Sequence, residues 1–222
     1  MVGRSLLTLL CVFAPAPASA RDFVVTSFGA VGDATAEHPG TNNTAAVRKA
    51  AAALAAAGGG ALVFPAGNFS TGAFNLSSNM VLRLEPGAVV SGIQPRSLGE
   101  AAFDYPVVPW DGTGGADAYG GASDFQGELG PQYQSFIHGY QLSNVTIEGG
   151  GTIWGGGDFW WQMWAGHGNQ AKGSSPLNMS RPHTVHLVGV KGLTIRDISV
   201  RRSPSWTLHL TFCSDVLVDS IR

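Results

Sequence analysis

Leu193-Thr194-Ile195-Arg196-Asp197-Ile198 returns 23 residues later as Val216-Leu217-Val218-Asp219-Ser220-Ile221. Val145-Thr146-Ile147 stands 48 residues before the first of these, about two such periods. A short apolar strand recurring at this spacing is the mark of a solenoid, in which each turn buries its inner face only against its neighbours. The last turn ends at Arg222 without a capping segment. An uncapped stack exposes a row of backbone donors and acceptors. The expectation is therefore that the chain is the front part of a longer protein.

The strand-turn-strand unit Met80–Leu84 and Ala88–Val90 around Glu85-Pro86-Gly87 resembles Val145–Ile147 and Thr152–Trp154 around Glu148-Gly149-Gly150. The two superpose at an offset of 63, Leu82 on Val145 and Val90 on Ile153. Apolar positions point inward and glycine bends the chain between faces, as successive turns of a parallel β-helix require. Ahead of these, Phe23 to Phe28 reads as a first strand. Ala45 to Ala57 reads as a helix with Val47, Ala50, Leu54 and Ala57 on one stripe. Thr41-Asn42-Asn43-Thr44 supplies its N-cap chemistry and Gly58-Gly59-Gly60 ends it. That helix is placed to cover the lower end of the stack. Residues 94–134 read as a long surface insertion, and Phe159 to Trp164 as a short helical excursion.

Of 222 residues, 44% are hydrophobic and 13% charged, which suits one domain with an ample core. The formal net charge is -2 with no basic run, so nucleic-acid binding has no electrostatic footprint. Arg4, the apolar run Leu6 to Phe13 and Ala18-Ser19-Ala20 read as a secretory signal peptide over 1–20. The domain is then 21–222, with no membrane association after cleavage. Asn42, Asn68, Asn75, Asn144 and Asn178 stand in N-glycosylation sequons, which fits secretion. Cys213 is left as either a buried free thiol or half of a bridge to a partner.

Several further segments carry a family resemblance. Ser27-Phe28-Gly29-Ala30-Val31-Gly32-Asp33, Asn42-Asn43-Thr44-Ala45-Ala46, Val63-Phe64-Pro65-Ala66-Gly67 and Thr71-Gly72 resemble the N-terminal signature of pectin-degrading parallel β-helix proteins. Gly149-Gly150-Gly151-Thr152-Ile153-Trp154-Gly155, Trp160-Trp161, Ser180-Arg181-Pro182 and Ser203-Pro204-Ser205-Trp206-Thr207-Leu208-His209 follow. Their order is similar to that of family 28 glycoside hydrolases, the polygalacturonase-like enzymes. The resemblance implies an all-β, right-handed parallel β-helix. It also implies hydrolysis of α-linked galacturonan or rhamnogalacturonan with inversion, a pectic polysaccharide as partner, no cofactor, and a monomer when full-length. Inversion needs two carboxyl groups about 6.5 to 9.5 Å apart. In the family these come from an Asn-Thr-Asp motif and an Asp-Asp pair, assisted by Gly-His-Gly and Arg-Ile-Lys motifs, all after the Ser-Pro-Ser-Trp strand. None occurs here in that context, so no catalytic residue is assigned and this chain alone is expected to be inactive.

The remaining candidates are weighed residue by residue. Gly166-His167-Gly168 matches the three-letter motif but precedes the Arg-Pro segment, so it reads as a loop. Asp215 and Asp219 are about 13 Å apart along a strand, outside the inverting window. His183 and His186, three apart in an extended segment, are expected on opposite faces, which leaves no metal site. Trp206, Leu208, Leu210 and Phe212 are expected to face the core. Thr207, His209 and Thr211 then face outward, and Thr207 and His209 are candidate sugar contacts. Arg181 is a candidate partner for a uronate carboxylate. Trp160, Trp161 and Trp164 either stack on sugar rings or pack a loop on the wall. Asp104, Asp111, Asp117 and Asp124 lack the spacing of a calcium loop. The function read is polygalacturonase-like hydrolysis in the cell wall. A non-catalytic pectin-binding β-helix is the alternative, and a polysaccharide lyase a more distant one.

Overall fold

The computed structural model describes residues 21–95, 104–108, 132–167 and 181–222, with Val108, Gln132 and 164–167 described in backbone alone. Residues 1–20, Asp111, Asp117, Asp124, Gly168 and Asn178 lie outside the described residues, as do the side chains of Trp164 and His167. The strands are β1 (Asp22–Val24), β2 (Gly60–Phe64), β3 (Gly67–Thr71), β4 (Phe74–Asn75), β5 (Met80–Leu84), β6 (Ala88–Gly92), β7 (Val107–Val108), β8 (Gln132–Tyr133) and β9 (Ile137–Tyr140). They continue as β10 (Ser143–Glu148), β11 (Thr152–Trp154), β12 (Val185–Val188), β13 (Lys191–Arg196), β14 (Ser199–Arg201), β15 (Leu208–Thr211) and β16 (Ser214–Asp219). Helix α1 spans Thr44–Ala56 and α2 spans Gly157–His167.

Three parallel sheets wrap one core. Sheet A runs β1-β2-β5-β10-β13-β16, sheet B β3-β6-β11-β14 and sheet C β4-β9-β12-β15. The chain visits A, B and C in turn and repeats, which is a right-handed parallel β-helix. The coil is held by columns of apolar side chains in register. Phe23, Leu62, Leu82, Ile147 and Ile195 stack in sheet A. Phe69, Val90, Ile153 and Val200 stack in sheet B. Phe74, Ile137 and Val185 stack in sheet C. All are buried, each contributing about 1.5–3 kcal/mol by removal from water. Val216 pairs with Leu193 and Leu193 with Val145, so the 23- and 48-residue offsets are the register of sheet A.

The 63-residue offset holds for Val90 and Ile153 in sheet B, but sheet A pairs Leu82 with Ile147, an offset of 65. A two-residue slip leaves every side chain on its own face, so alternation alone cannot detect it. The difference is absorbed at the corner between β5 and β6. The first strand is also shorter than expected. It gives way at Val25–Phe28 to a 3-10 turn closed by Gly29 at φ 99.

Helix α1 packs on β1, β2 and β4 through Val47, Ala50, Ala51 and Leu54. Ala57 is exposed as the C-cap and does not extend the stripe. Asn43 occupies the N-cap position without a capping side-chain bond. Its side chain is buried instead, accepting from the Val31 N–H at 2.7 Å and donating to the Val31 and Thr41 carbonyls. Asp104 is buried beside it, accepting from Asn42 Nδ2 and Thr44 Oγ1, and its own carbonyl accepts from Arg48. Asp104 thus fastens the insertion to α1.

The corners are single residues in left-handed conformation, repeated at matching ladder positions. Asn79, Asn144 and Asp215 take φ 59, 56 and 54 near the starts of sheet A strands, with Gly192 at φ 74 in the same series. After the sheet A strands, Asp197 and Ser220 follow Gly149. Gly149 differs from its successors with φ 120, a region closed to side chains, and an added Cβ would lie on the Leu84 carbonyl. Gly149→Ala is expected to cost about 2–4 kcal/mol in urea unfolding. Gly58→Ala, whose Cβ would meet nothing within 4 Å, is expected to cost about 1 kcal/mol. Equal costs would refute the clash.

Candidate functional site

The outer face of sheet C carries a histidine column. His138, His186 and His209 pair in register, directly above Asn75. Their neighbours Ile137, Val185 and Leu187 turn into the core, which leaves the imidazoles on the outer side. His186 and His209 stack with centroids 4.5 Å apart and planes at 10°. Trp206 continues the stack on His209 at 5.4 Å and 21° while remaining 47% exposed.

His183 joins this column. Its ring centroid lies 5.3 Å from that of His186 and 4.8 Å from that of His209. The expectation that His183 and His186 point apart is overturned. Strand alternation begins only at Val185, and His183 lies in irregular backbone before the bend at Thr184. Nitrogen ligand atoms of His183, His186 and His209 all lie within 4.8 Å of one another. His183 Nδ1, His186 Nε2 and His209 Nδ1 are buried without a hydrogen-bond partner. Burial, then the neighbouring His209 and Arg181, lowers the His183 pKa to about 3. Burial and the flanking His183, His209 and His138 lower His186 to about 2. The His209 pKa is lowered by burial. All three rings are neutral at neutral pH.

His209 therefore faces outward as expected, and Thr207 is exposed beside it. Leu208 and Leu210 pack on the core. Trp206 and Phe212 do not: Phe212 is 79% exposed at a left-handed corner, φ 54, where alternation ends. Arg181 is half-buried and donates to the Pro204 carbonyl at 3.0 Å. It bridges the two segments that flank the histidines.

Trp160 and Trp161 serve packing. Trp160 is fully buried among Tyr105, Tyr133 and Phe159. Trp161 donates from Nε1 to the Ser203 carbonyl at 3.0 Å and lies 4.6 Å beneath the Arg202 guanidinium, which pairs with Asp158. Asp215 and Asp219 belong to β16, and Asp219 stands in register with Arg196. It extends the outer charge ladder of Asp22, Arg83, Glu148 and Arg196 on sheet A. Such exposed pairs contribute little stability. Asn42, Asn68, Asn75 and Asn144 all use their side chains in hydrogen bonds. Cys213 is a free, half-buried thiol whose Sγ donates to the Leu187 carbonyl.

A cleft of about 560 Å³ lies elsewhere, on sheet B, lined by Thr35, Asn68, Ser70, Ser91, Trp154 and Asp158. No lysine or arginine lines it among the described residues. With Asp158 and no cation in its lining it suits a polyanion less well, so the sheet C face is the better candidate.

Sequence reading missed the histidine column, although its signal was present. His138, His186 and His209 are separated by 48 and 23 residues, the spacing of the strand repeat itself. Comparing polar residues at the repeat offset would have aligned them.

A three-sheet parallel coil with an aromatic, polar outer face defines the chain as a parallel β-helix protein. It superposes on an exopolygalacturonase from Thermotoga maritima at a TM-score of 0.64 and 21% identity, covering 90% of this chain and 46% of that one. The family 28 exopolygalacturonase of Yersinia enterocolitica gives a TM-score of 0.65 at 18% identity, covering 92% and 39%. Residues 118–222 match the model for glycosyl hydrolases family 28. A Vitis vinifera protein named "Probable polygalacturonase" is 32% identical over 163 residues, covering 72% of this chain. Over residues 118–222 the chain is similar to family 28, the polygalacturonase-like proteins. It spans 28% of the length of the Vitis relative.

Proposed function

We propose that this chain is the groove-forming part of a secreted hydrolase acting on α-linked galacturonan in the cell wall, with residues 21–222 as one β-helix domain after removal of 1–20. The observation that carries the substrate class is the sheet C face. There an exposed Trp206 stacks on His209 beside Thr207 and Arg181. An aromatic plane suits the apolar side of a pyranose, hydroxyl and imidazole groups suit its hydroxyls, and a guanidinium suits a uronate. Inversion requires an acid and a base carboxylate that the 222 residues do not supply in the family's motifs.

The chain by itself is therefore expected to bind polygalacturonate without cleaving it. Reducing-end release and binding isotherms on the purified 222-residue chain test this. Saturable binding without turnover, weakened about tenfold by Trp206→Ala, is the expected result. Turnover above a matched blank would show that the chain carries its own carboxylates. Absence of binding would remove the sheet C face from the reading. A purely pectin-binding role is the second reading, favoured by the same exposed aromatic.

A further inference from the structure

We infer that His183, His186 and His209 form a binding site for a divalent transition-metal ion of the zinc class. Three features converge. One nitrogen from each ring lies within 4.8 Å of the others, and each ring carries a buried nitrogen without a partner. Burial of an unsatisfied polar atom is costly, and three in one cluster call for a common partner. His183 and His186 are 7% and 6% exposed, so bulk water does not satisfy them.

The donor set selects the ion. Three imidazoles without thiolate or carboxylate suit zinc, copper or nickel, and do not suit calcium or magnesium. In a tetrahedral site with metal–nitrogen bonds of about 2.0–2.1 Å, the nitrogens stand roughly 3.4 Å apart. His186 and His209 stand nearly parallel, and an imidazole lone pair lies in its ring plane, so coordination requires one ring to turn about its broad Cβ–Cγ torsion before the nitrogens converge on one ion. Three protein ligands leave the fourth position of a tetrahedral site to an exogenous ligand. Arg181 and His138 are the other titratable groups that act on the cluster. The Arg181 guanidinium opposes a dication and favours an anionic fourth ligand such as a carboxylate. This site stands on the ring geometry alone and does not depend on the substrate proposed above.

The test uses chelator-stripped chain titrated with zinc sulfate at pH 7.5 by calorimetry, followed by X-ray absorption of the loaded protein. One zinc per chain at micromolar affinity or tighter, with a shell of imidazole nitrogens, is expected. His186→Asn and His209→Asn should each weaken binding at least about tenfold, while His38→Asn, at an exposed histidine, should not. An oxygen-only shell, substoichiometric uptake, or binding unchanged in both cluster variants would overturn the site. The absorption spectrum of the unmodified chain decides even if a variant fails to fold.

Discussion

Trp160→Ala is expected to destabilise the chain by about 3–5 kcal/mol, the largest single effect among the side chains of the excursions. Trp160 is fully buried and packs edge-on against Tyr105 at 5.5 Å and Tyr133 at 5.1 Å. Tyr105 in turn meets Phe136, Phe136 meets Phe74, and Phe74 meets Phe64 and so the coil interior. One aromatic relay thus carries α2 and the insertion onto the core. Removing its outer member leaves a cavity where three elements meet. Trp160→Phe separates packing from polarity. The Trp160 Nε1 is buried without a partner, so phenylalanine discards an unsatisfied donor while keeping most of the ring contacts. It is expected to cost under about 1.5 kcal/mol. Chemical unfolding of the two variants distinguishes the accounts; equal losses would mean that the indole body, rather than a hydrophobic ring in general, is required.

Acid is expected to destabilise the fold earlier than carboxylate titration alone would. His183 and His186 have pKa values lowered to about 3 and about 2, below the ordinary 6.5. Above pH 6.5 both are neutral in folded and unfolded chains and contribute no pH dependence. Below it the unfolded chain takes up protons that the folded chain refuses. The unfolded state then binds more protons, and stability falls as pH falls. The slope is roughly 1.4 kcal/mol per histidine per pH unit, down to the folded values. Across two units the pair withdraws on the order of 5 kcal/mol. Urea midpoints measured at pH 7.5, 6.0 and 5.0 should drop steadily, and a His183→Gln/His186→Asn chain should show a shallower decline. A flat profile between pH 6.5 and 5 would contradict the burial of these rings.

Much of the fold was legible because a solenoid writes its register into its sequence. Leu193 and Val216 pair in space as they align in the chain. The exceptions lie where periodicity ends. At His183 a bend precedes the strand, so counting by twos placed the ring on the wrong face. At Phe212 the strand has already turned its corner, and a large hydrophobe stands exposed. At Leu82 a slip of two preserved the pattern and changed the partner. The site was less legible than the fold because it is assembled across turns. His138, His186 and His209 come from three separate passes, and only the ladder makes them neighbours.

The corners of the coil are unequal. Passages from sheet A to B, and from C back to A, take two to four residues throughout. The passage from B to C takes two residues between β3 and β4, 44 between β6 and β9, 30 between β11 and β12, and six between β14 and β15. Lengthening a loop from six to 30 residues costs only about 1.4 kcal/mol of closure entropy. Because both ends remain pinned in the ladder, such growth does not shift the strands that follow. One edge of this molecule can therefore accept or lose whole segments while the rest keeps its pitch. The segments admitted there flank sheet C, so what the protein meets can diverge between relatives while what holds it up stays the same.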